Sequence, residues 1–276
     1  MENNNLASIL ESYRSAARNE REKGDYFERL IRVFLQNDDV QKQFYTEVIP
    51  FSEWAKPNGW KGNDTGIDLV ARLADGSGFA AIQCKFYAPN QSIQKPDIDS
   101  FISASSNDVF TRLIIADTTQ REFGRNAIET LDKLSKDWNR IGIAELEASR
   151  IDWSQFIRTG TVSLAPKKQL RDHQSDALKA VLDGLQEADR GKMIMACGTG
   201  KTFTGLRIAE ALAGNGKRVL FMVPSLALMS QTVREWKNDC QGEFTAFSAC
   251  SDAKVGRNAD AAVSYTHLRA HETVLD

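Results

Sequence analysis

Residues 66–86 read GIDLVARLADGSGFAAIQCKF, and this stretch decides the fold of the first half of the chain. Two strand-like runs, 67–73 and 79–86, are joined at 74–78 by the turn-forming sequence Ala-Asp-Gly-Ser-Gly. Apolar runs separated by a short Gly-containing turn are typical of two paired strands. The sequence therefore predicts a β-hairpin.

Helix-like and strand-like segments alternate around this hairpin. Residues 26–35 (YFERLIRVFL) have apolar side chains at helical spacing, which predicts the first core helix. The same reasoning predicts further helices at 6–22, 95–105 and 122–134 and strands at 44–51, 111–116 and 142–146. Strands that alternate with helices indicate an α/β domain.

The hairpin carries three polar side chains that could form one site. Gln83 and Lys85 are two residues apart, so they project from the same face of their strand. Asp68 lies near the start of the partner strand, opposite the end of the second. A carboxylate and an amide oxygen can hold Mg²⁺, and an ammonium group can orient or activate water beside a phosphate. Asp68, Gln83 and Lys85 are therefore candidate catalytic residues, the first two as metal ligands.

Two readings of this part of the chain stay open. Asp68 could instead cap a turn while Lys85 faces solvent, because a D…QxK pattern is common by chance. In the loop before Asp68, Trp54 and Trp60 stand close to Lys56 and Lys61. These four side chains could flank DNA by stacking and phosphate contacts, or the tryptophans could be a local hydrophobic anchor.

A second candidate site lies at residues 195–202, MACGTGKT, between a predicted strand at 192–196 and a predicted helix at 203–213. Gly198 and Gly200 permit backbone angles that point N–H groups at phosphate oxygens, and the start of the helix attracts an anion. The residues that would bind ATP are Gly198, Thr199, Gly200, Lys201 and Thr202, with Lys201 on the β- and γ-phosphates and Thr202 on Mg²⁺. Met195 departs from the strict phosphate-loop pattern, which has glycine at that position.

The segments after this loop complete a βαβ pattern. Residues 218–223 predict an apolar strand, 226–236 predict a helix, and 244–248 predict a last strand. A strand, a Gly-containing loop, a helix and another strand indicate a parallel sheet. The second half of the chain is therefore predicted to be a separate α/β domain.

The first half resembles the PD-(D/E)xK nuclease core in its Mrr-like form, in which glutamine replaces the second acid. The match runs from about residue 22 to 150 and depends on Asp68, Gln83 and Lys85. In that family an acidic residue on the first helix often completes the site. The resemblance implies that Glu28 is the fourth catalytic residue.

The second half resembles a superfamily 2 DEAD/DEAH-type helicase motor over residues 169 to about 250. Besides the phosphate loop, Leu170-Arg-Asp-His-Gln174 resembles the segment L-R-x-x-Q, and 219–231 resemble motif Ia. The resemblance implies that Gln174 contacts adenine and that Ser225 touches the DNA backbone.

Together the two halves resemble the front end of a single-polypeptide, type I-like (ISP) ATP-dependent restriction enzyme. The resemblance implies double-stranded DNA, ATP and Mg²⁺ as partners. It also implies further helicase domains, and possibly a methyltransferase domain, on the same full-length chain. Two alternatives stay open: a defence or repair helicase with a nuclease domain but no methyltransferase, and a non-catalytic DNA-binding module attached to a motor.

The expected organisation follows from these matches. We expect an N-terminal helix (1–21), a nuclease domain (22–157), a polar linker (158–168) and a partial RecA-like domain (169–262). No acidic motif of the D-E-x-x type follows Lys201, so the chain is expected to be a fragment. Residues 263–276 (VSYTHLRAHETVLD) resemble a peptide that recurs at the ends of unrelated gene models. We expect this tail to contribute nothing to the fold.

Composition excludes several other classes. A net charge of −2 over 276 residues argues against a histone-like nucleic-acid binder. The four cysteines form no C-x-x-C pair, which argues against a zinc knuckle or a disulfide framework and fits a reducing cytoplasm. The sequence predicts neither a signal peptide nor a membrane span.

Overall fold

The computed structural model describes residues 6–17, 19–60, 66–214, 216–248 and 264–265. The chain divides into two units, the first ending at Ala165 and the second beginning at Pro166.

The first unit contains one mixed sheet and its covering helices. Its strands are β1 (Tyr45–Pro50), β2 (Leu69–Leu73), β3 (Phe79–Lys85), β4 (Phe110–Asp117) and β5 (Asp137–Ile141). Its helices are α1 (Leu6–Ala16), α2 (Glu20–Asn37), α3 (Phe51–Ala55), α4 (Lys95–Ala104), α5 (Arg125–Asp132), α6 (Ile143–Ala148) and α7 (Trp153–Thr159).

The sheet order is β1-β2-β3-β4-β5. The first three strands pair antiparallel, and β4 and β5 continue the sheet in parallel. The parallel connections run through α4 and α5, because two parallel neighbours need a crossover. The predicted hairpin and the α/β class are confirmed.

Apolar side chains cover both faces of the sheet. One face packs against α1, α2, α6 and α7, with Phe27, Leu30 and Ile31 of α2 fully buried. The other face packs against α3, α4 and α5. Alternation along β3 divides its residues between the two faces, with Ile82 in the first cluster and Ala81 in the second.

Two of the predicted elements are wrong in this unit. The predicted helix at 6–22 is interrupted before Asn19, whose side chain accepts a hydrogen bond from the Glu22 N–H at 2.9 Å and starts α2. The predicted strand at 142–146 is the helix α6, and the strand precedes it as β5. The Glu145 carboxylate accepts the Gly142 N–H at 2.8 Å, which stabilises a helix start there.

Part of the expected linker folds back onto the first unit. Residues 153–159 form α7, and Leu164 makes an isolated antiparallel bridge to Ile151. Arg150 donates to the Ala165 carbonyl at 2.7 Å and to the Asp39 carboxylate at 2.7 Å. These contacts join the end of the unit to the segment after α2.

The second unit contains α8 (Asp172–Glu187), α9 (Lys201–Ala213) and α10 (Leu226–Asp239). Its small core contains Phe203, Leu206 and Trp236. The two-residue strands β6 (Phe247–Ser248) and β7 (Ser264–Tyr265) pair in parallel. No helix in the described part of either unit is both long and apolar enough to cross a membrane.

The predicted strands at 192–196 and 218–223 are wrong, since neither range contains a strand. Apolar side chains in these ranges lie in solvent: Ile194 is 85%, Leu220 86% and Met222 84% exposed. A parallel strand is stable only between paired neighbours and under covered faces. Neither range has a ladder partner within the described residues, so apolar character alone does not produce the predicted parallel sheet.

The strand β7 lies inside the expected tail. Its two residues pair with β6, while 263 and 266–276 lie outside the described residues. That the tail adds nothing to the fold stays a prediction.

The contact between Asp39 and Arg150 yields a prediction about stability. Burial raises the pKa of Asp39, but hydrogen bonds from Lys42 and Arg150 outweigh burial, so the net pKa is lowered. A lowered pKa in the folded state stabilises the fold above the ordinary pKa, and this stabilisation is lost as pH falls through the lowered value. Asp39→Asn should reduce the free energy of unfolding by about 1–3 kcal/mol at neutral pH.

The test is urea unfolding followed by tryptophan fluorescence, which reports mainly on the first unit because only Trp236 lies in the second. The wild type and Asp39→Asn should converge well below the ordinary Asp pKa of about 3.9. Asp99→Asn, which removes an exposed ion pair with Lys95, should have little effect at any pH. A deficit of Asp39→Asn that stays constant from neutral to acid pH would contradict the account.

Candidate functional site

Asp68 is attached to the sheet on both sides. Its carbonyl accepts the Phe51 N–H at 2.9 Å, and its own N–H donates to the Ile82 carbonyl at 2.9 Å. Its carboxylate Oδ2 accepts the main-chain N–H of Cys84 at 2.6 Å. The two bonds to β3 therefore lie on either side of Gln83.

Gln83 carries a buried acceptor that has nothing to accept. The residue is 2% exposed, and its Oε1 has no hydrogen-bond partner among the described residues. Leaving a buried acceptor unpaired costs about 1–3 kcal/mol, so such an atom calls for an explanation. An amide oxygen is a ligand of hard cations such as Mg²⁺. The pair of Asp68 and Gln83 therefore fits a divalent metal ion.

Lys85 is the last residue of β3 and is half-buried. By alternation it shares a face with Gln83 and Ala81. The sequence prediction that Gln83 and Lys85 project together agrees with this arrangement.

The pKa of the Cys84 thiol is affected by several charged groups near the end of β3. Burial raises its pKa well above the ordinary value, the charges of Asp68 and Glu28 raise it further, and Lys85 lowers it. Glu28 lies on α2, which packs on the sheet face opposite to that of Ala81. Asp68, Glu28 and Lys85 thus all act on one strand end, and Glu28 reaches it from the α2 side. Their catalytic roles stay predictions.

No group of three His, Cys, Asp or Glu side chains that could hold a metal ion occurs in the described ranges. A metal ion at this strand end would therefore depend on the amide oxygen of Gln83 as well as on carboxylates.

The aromatic residues before Asp68 belong to the core. Trp54 is 3% exposed and packs with Trp60, Phe51 and Phe110 at centroid distances of 5.2–6.0 Å. Lys56 is exposed, and Lys61 lies outside the described residues. The structure thus favours the hydrophobic-anchor reading for Trp54 over DNA stacking.

The predicted phosphate loop has the expected glycine conformations. Gly198 and Gly200 have φ angles of 77° and 85°, and Lys201 begins α9 directly after them. Any other residue at Gly200 would strain the backbone, and its Cβ would lie 2.4 Å from Nε2 of Gln174, so the Gln174 amide would have to move. The Lys201 ammonium donates to the carbonyls of Ala196 at 2.9 Å and Met195 at 3.3 Å. The Lys201 side chain therefore folds back and bonds to the start of the same loop.

Gln174 joins α8 to this loop. It is 5% exposed, its Nε2 donates to the Thr199 carbonyl at 2.9 Å, and its Oε1 accepts the Arg171 N–H at 3.0 Å. Both polar ends of the amide are thus bonded within the protein. Its contact with adenine stays a prediction.

The expected roles of Thr202 and Ser225 also stay predictions. The carbonyl of Thr202 accepts the Trp236 indole N–H at 2.9 Å, and Ser225 caps α10 by accepting the Leu228 N–H at 3.4 Å.

Sequence analysis missed a polar group next to Lys85. Asp117 is the buried last residue of β4, Thr118 and Thr119 follow it and are also buried, and Arg140 of β5 bonds to Asp117. The register places Asp117 beside Lys85. A polar triplet directly after a buried strand was the signal available in the sequence.

Two sequence families match the chain. Residues 36–162 match the model of a family described as restriction endonuclease, and 167–268 match that of the type III restriction enzyme res subunit. The chain therefore consists of a restriction endonuclease domain followed by a helicase-like domain. This confirms the resemblance of both halves.

A solved structure is similar over most of this chain. The chain is similar to the ATP-dependent type ISP restriction-modification enzyme LlaBIII bound to DNA, with 38% identity and a TM-score of 0.67. The similarity covers 81% of this chain and 14% of that enzyme, so the chain spans a small part of its length.

Two other solved structures are more distant. The MspJI restriction endonuclease in complex with a 27-mer oligonucleotide is 16% identical, with a TM-score of 0.35 over 51% of this chain and 29% of that one. A protein of unknown function is 19% identical, with a TM-score of 0.32 over 67% of this chain and 95% of that one. The search of curated proteins found no match.

The unpaired oxygen of Gln83 yields a prediction that separates stability from function. Gln83→Met keeps the length of the side chain and removes the acceptor, so the free energy of unfolding should rise by about 1 kcal/mol. Saturating Mg²⁺ should stabilise the wild type, because a ligand bound to the folded state raises its stability, and should stabilise Gln83→Met less.

Gln41→Met is the matched control, since Gln41 is 4% exposed and its buried Oε1 also finds no hydrogen-bond partner in the part of the chain that the structure describes. It should keep the full response to Mg²⁺ in the same melting experiment. Equal Mg²⁺ responses of Gln83→Met and the wild type would show that Gln83 is not a ligand.

Proposed function

We propose that the chain is the nuclease part and a portion of the motor of an ATP-dependent DNA restriction enzyme. The observation that carries the nuclease assignment is the buried, unpaired Oε1 of Gln83 between the two bonds that hold Asp68 to β3. The family matches and the DNA-bound type ISP neighbour support DNA as the substrate.

Asp68 and Gln83 would hold Mg²⁺ in this proposal. The bound ion would polarise a phosphate oxygen and make a water molecule more acidic. The Cys84 N–H keeps the Asp68 carboxylate in place by a charge-assisted bond. The ammonium of Lys85 would orient the water and offset charge on the scissile phosphate. Glu28, which lies on the α2 side of the sheet, would add negative charge at the same strand end.

The phosphate loop would serve the motor. Main-chain N–H groups at Gly198–Gly200 and the start of α9 would attract the phosphates. Lys201 would exchange its carbonyl partners for the β- and γ-phosphates, and Thr202 would hold Mg²⁺ there. Gln174 would contact adenine. DNA as substrate and the cysteine usage together favour a cytoplasmic location.

The nuclease proposal predicts that Asp68→Ala abolishes Mg²⁺-dependent nicking of supercoiled plasmid DNA. The carboxylate is a proposed metal ligand, so its loss leaves Gln83 unable to hold the ion alone. Asp137→Ala removes an exposed carboxylate at the start of β5 and should nick at the wild-type rate.

Nicking by Asp68→Ala at the wild-type rate would exclude this site as the nuclease. A wild-type chain that binds DNA yet never nicks it with Mg²⁺ would favour the non-catalytic DNA-binding module.

The nucleotide proposal predicts that Lys201→Ala weakens binding of a fluorescent ATP analogue by roughly tenfold or more. Its ammonium is the positive group inside the loop, whereas Lys192 is exposed upstream and Lys192→Ala should bind normally. Unchanged affinity of Lys201→Ala in a fluorescence titration would show that the loop does not bind phosphate as proposed.

A further inference from the structure

The chain immediately after the proposed catalytic lysine is held from two directions. Thr118, which is 1% exposed, donates its N–H to the Lys85 carbonyl at 3.1 Å and its hydroxyl to the Tyr87 carbonyl at 2.6 Å. Arg14 of α1 donates to the same Tyr87 carbonyl at 3.1 Å, and its guanidinium lies 5.0 Å from the Phe86 ring. Thr118 therefore bonds to the main chain both at Lys85 and two residues beyond it.

The residues on both sides of Thr118 are held by hydrogen bonds. Asp117 is fully buried, and Arg140 bonds to both of its carboxylate oxygens at 2.7 and 2.9 Å. Thr119 donates its N–H and its hydroxyl to Asp117 Oδ1 at 2.8 and 2.5 Å. The Arg140 guanidinium also lies 4.7 Å from the Phe123 ring. These bonds fix the residues on both sides of Thr118.

The side chain of Tyr87 adds a third attachment. Its phenol donates to the Asp97 carboxylate of α4 at 2.9 Å. Burial, this hydrogen bond and the charge of Asp97 raise the pKa of Tyr87 to about 12. Residues 85–87 are thus bonded to β4, α1 and α4.

We propose that Thr118 is a positioning residue for Lys85, an inference that rests on the proposed nuclease function. Lysine is a compact charge on a flexible four-carbon stem, so the stem's starting point determines where the ammonium can reach. Thr118 fixes that starting point by bonding to the main chain at Lys85 and at Tyr87. A displacement of about 1 Å in such a group can slow a reaction about a hundredfold.

The rival explanation is that Thr118 merely stabilises the fold. A matched control exists in Ser105, which is also 1% exposed and whose hydroxyl donates to the Phe101 carbonyl at 2.6 Å. Ser105 follows the end of α4 and precedes β4, so it lies near the amino end of that strand. Lys85 is at the opposite, carboxyl end of the neighbouring parallel strand β3. Both hydroxyls belong to buried residues of the same unit and donate to a main-chain carbonyl at 2.6 Å.

The experiment measures plasmid nicking under single-turnover conditions, and DNA affinity separately with Ca²⁺ in place of Mg²⁺. Thr118→Val keeps the shape and removes the hydroxyl, Thr118→Ser keeps the hydroxyl, and Ser105→Ala is the control. Thr118→Val should slow nicking roughly ten- to hundredfold. Its DNA affinity should change by less than about twofold, because a misplaced catalytic group affects the reaction step rather than binding.

Thr118→Ser should restore most of the rate, and Ser105→Ala should nick like the wild type. If Thr118→Val does not fold, Arg14→Met takes its place, because Arg14 makes the other hydrogen bond to the Tyr87 carbonyl. Arg14→Met should show a smaller loss of nicking rate than expected for Thr118→Val, with unchanged DNA affinity. Wild-type rates in Thr118→Val, or in Arg14→Met where that variant replaces it, would overturn the positioning role, as would equal losses in Thr118→Val and Ser105→Ala. An inactive wild type, or nicking that survives Asp68→Ala, would instead overturn the nuclease function on which the role rests.

Discussion

The main-chain N–H of Cys84 donates to the carboxylate of Asp68 at 2.6 Å, and the candidate nuclease site depends on this bond. It places a negative charge beside β3, next to a buried amide oxygen that accepts nothing. The bond needs the register of the hairpin, because a slip of one residue would turn Gln83 and Lys85 to the opposite face. The cores on both sides of the sheet hold that register through Ile82 and Ala81.

The site also shows how function and stability oppose each other here. A buried oxygen without a hydrogen-bond partner, such as Oε1 of Gln83, destabilises the fold. The negative charges of Asp68 and Glu28 both lie near the buried Cys84 thiol, and two like charges close together also lower stability. Hydrogen bonds at the end of the neighbouring strand β4 offset part of this loss of stability. The paired Asp117 and Arg140 keep the end of β4 rigid, so the unpaired oxygen of Gln83 lies beside a well-ordered strand.

Local patterns in the sequence predicted the hairpin, α2 and α4, because apolar periodicity and turn residues act over short distances. The same patterns also indicated Asp68, Gln83 and Lys85 as candidate site residues. The bond between Asp117 and Arg140 could not be predicted, since the two residues are 23 positions apart and meet only through the parallel pairing of β4 and β5. The failed strands at 192–196 and 218–223 have the same cause: an apolar run becomes a strand only when a neighbour supplies its ladder bonds.

The assignment of a nuclease site depends on whether Asp68 and Gln83 together hold a metal ion. Crystals of the chain grown with Mn²⁺, which resembles Mg²⁺ in its preference for oxygen ligands and scatters anomalously, test this directly. We expect an anomalous peak within coordination distance of the Asp68 carboxylate and of Gln83 Oε1. A peak elsewhere in the first unit, or Gln83 Oε1 bonded to a protein donor with no metal beside it, would contradict the account.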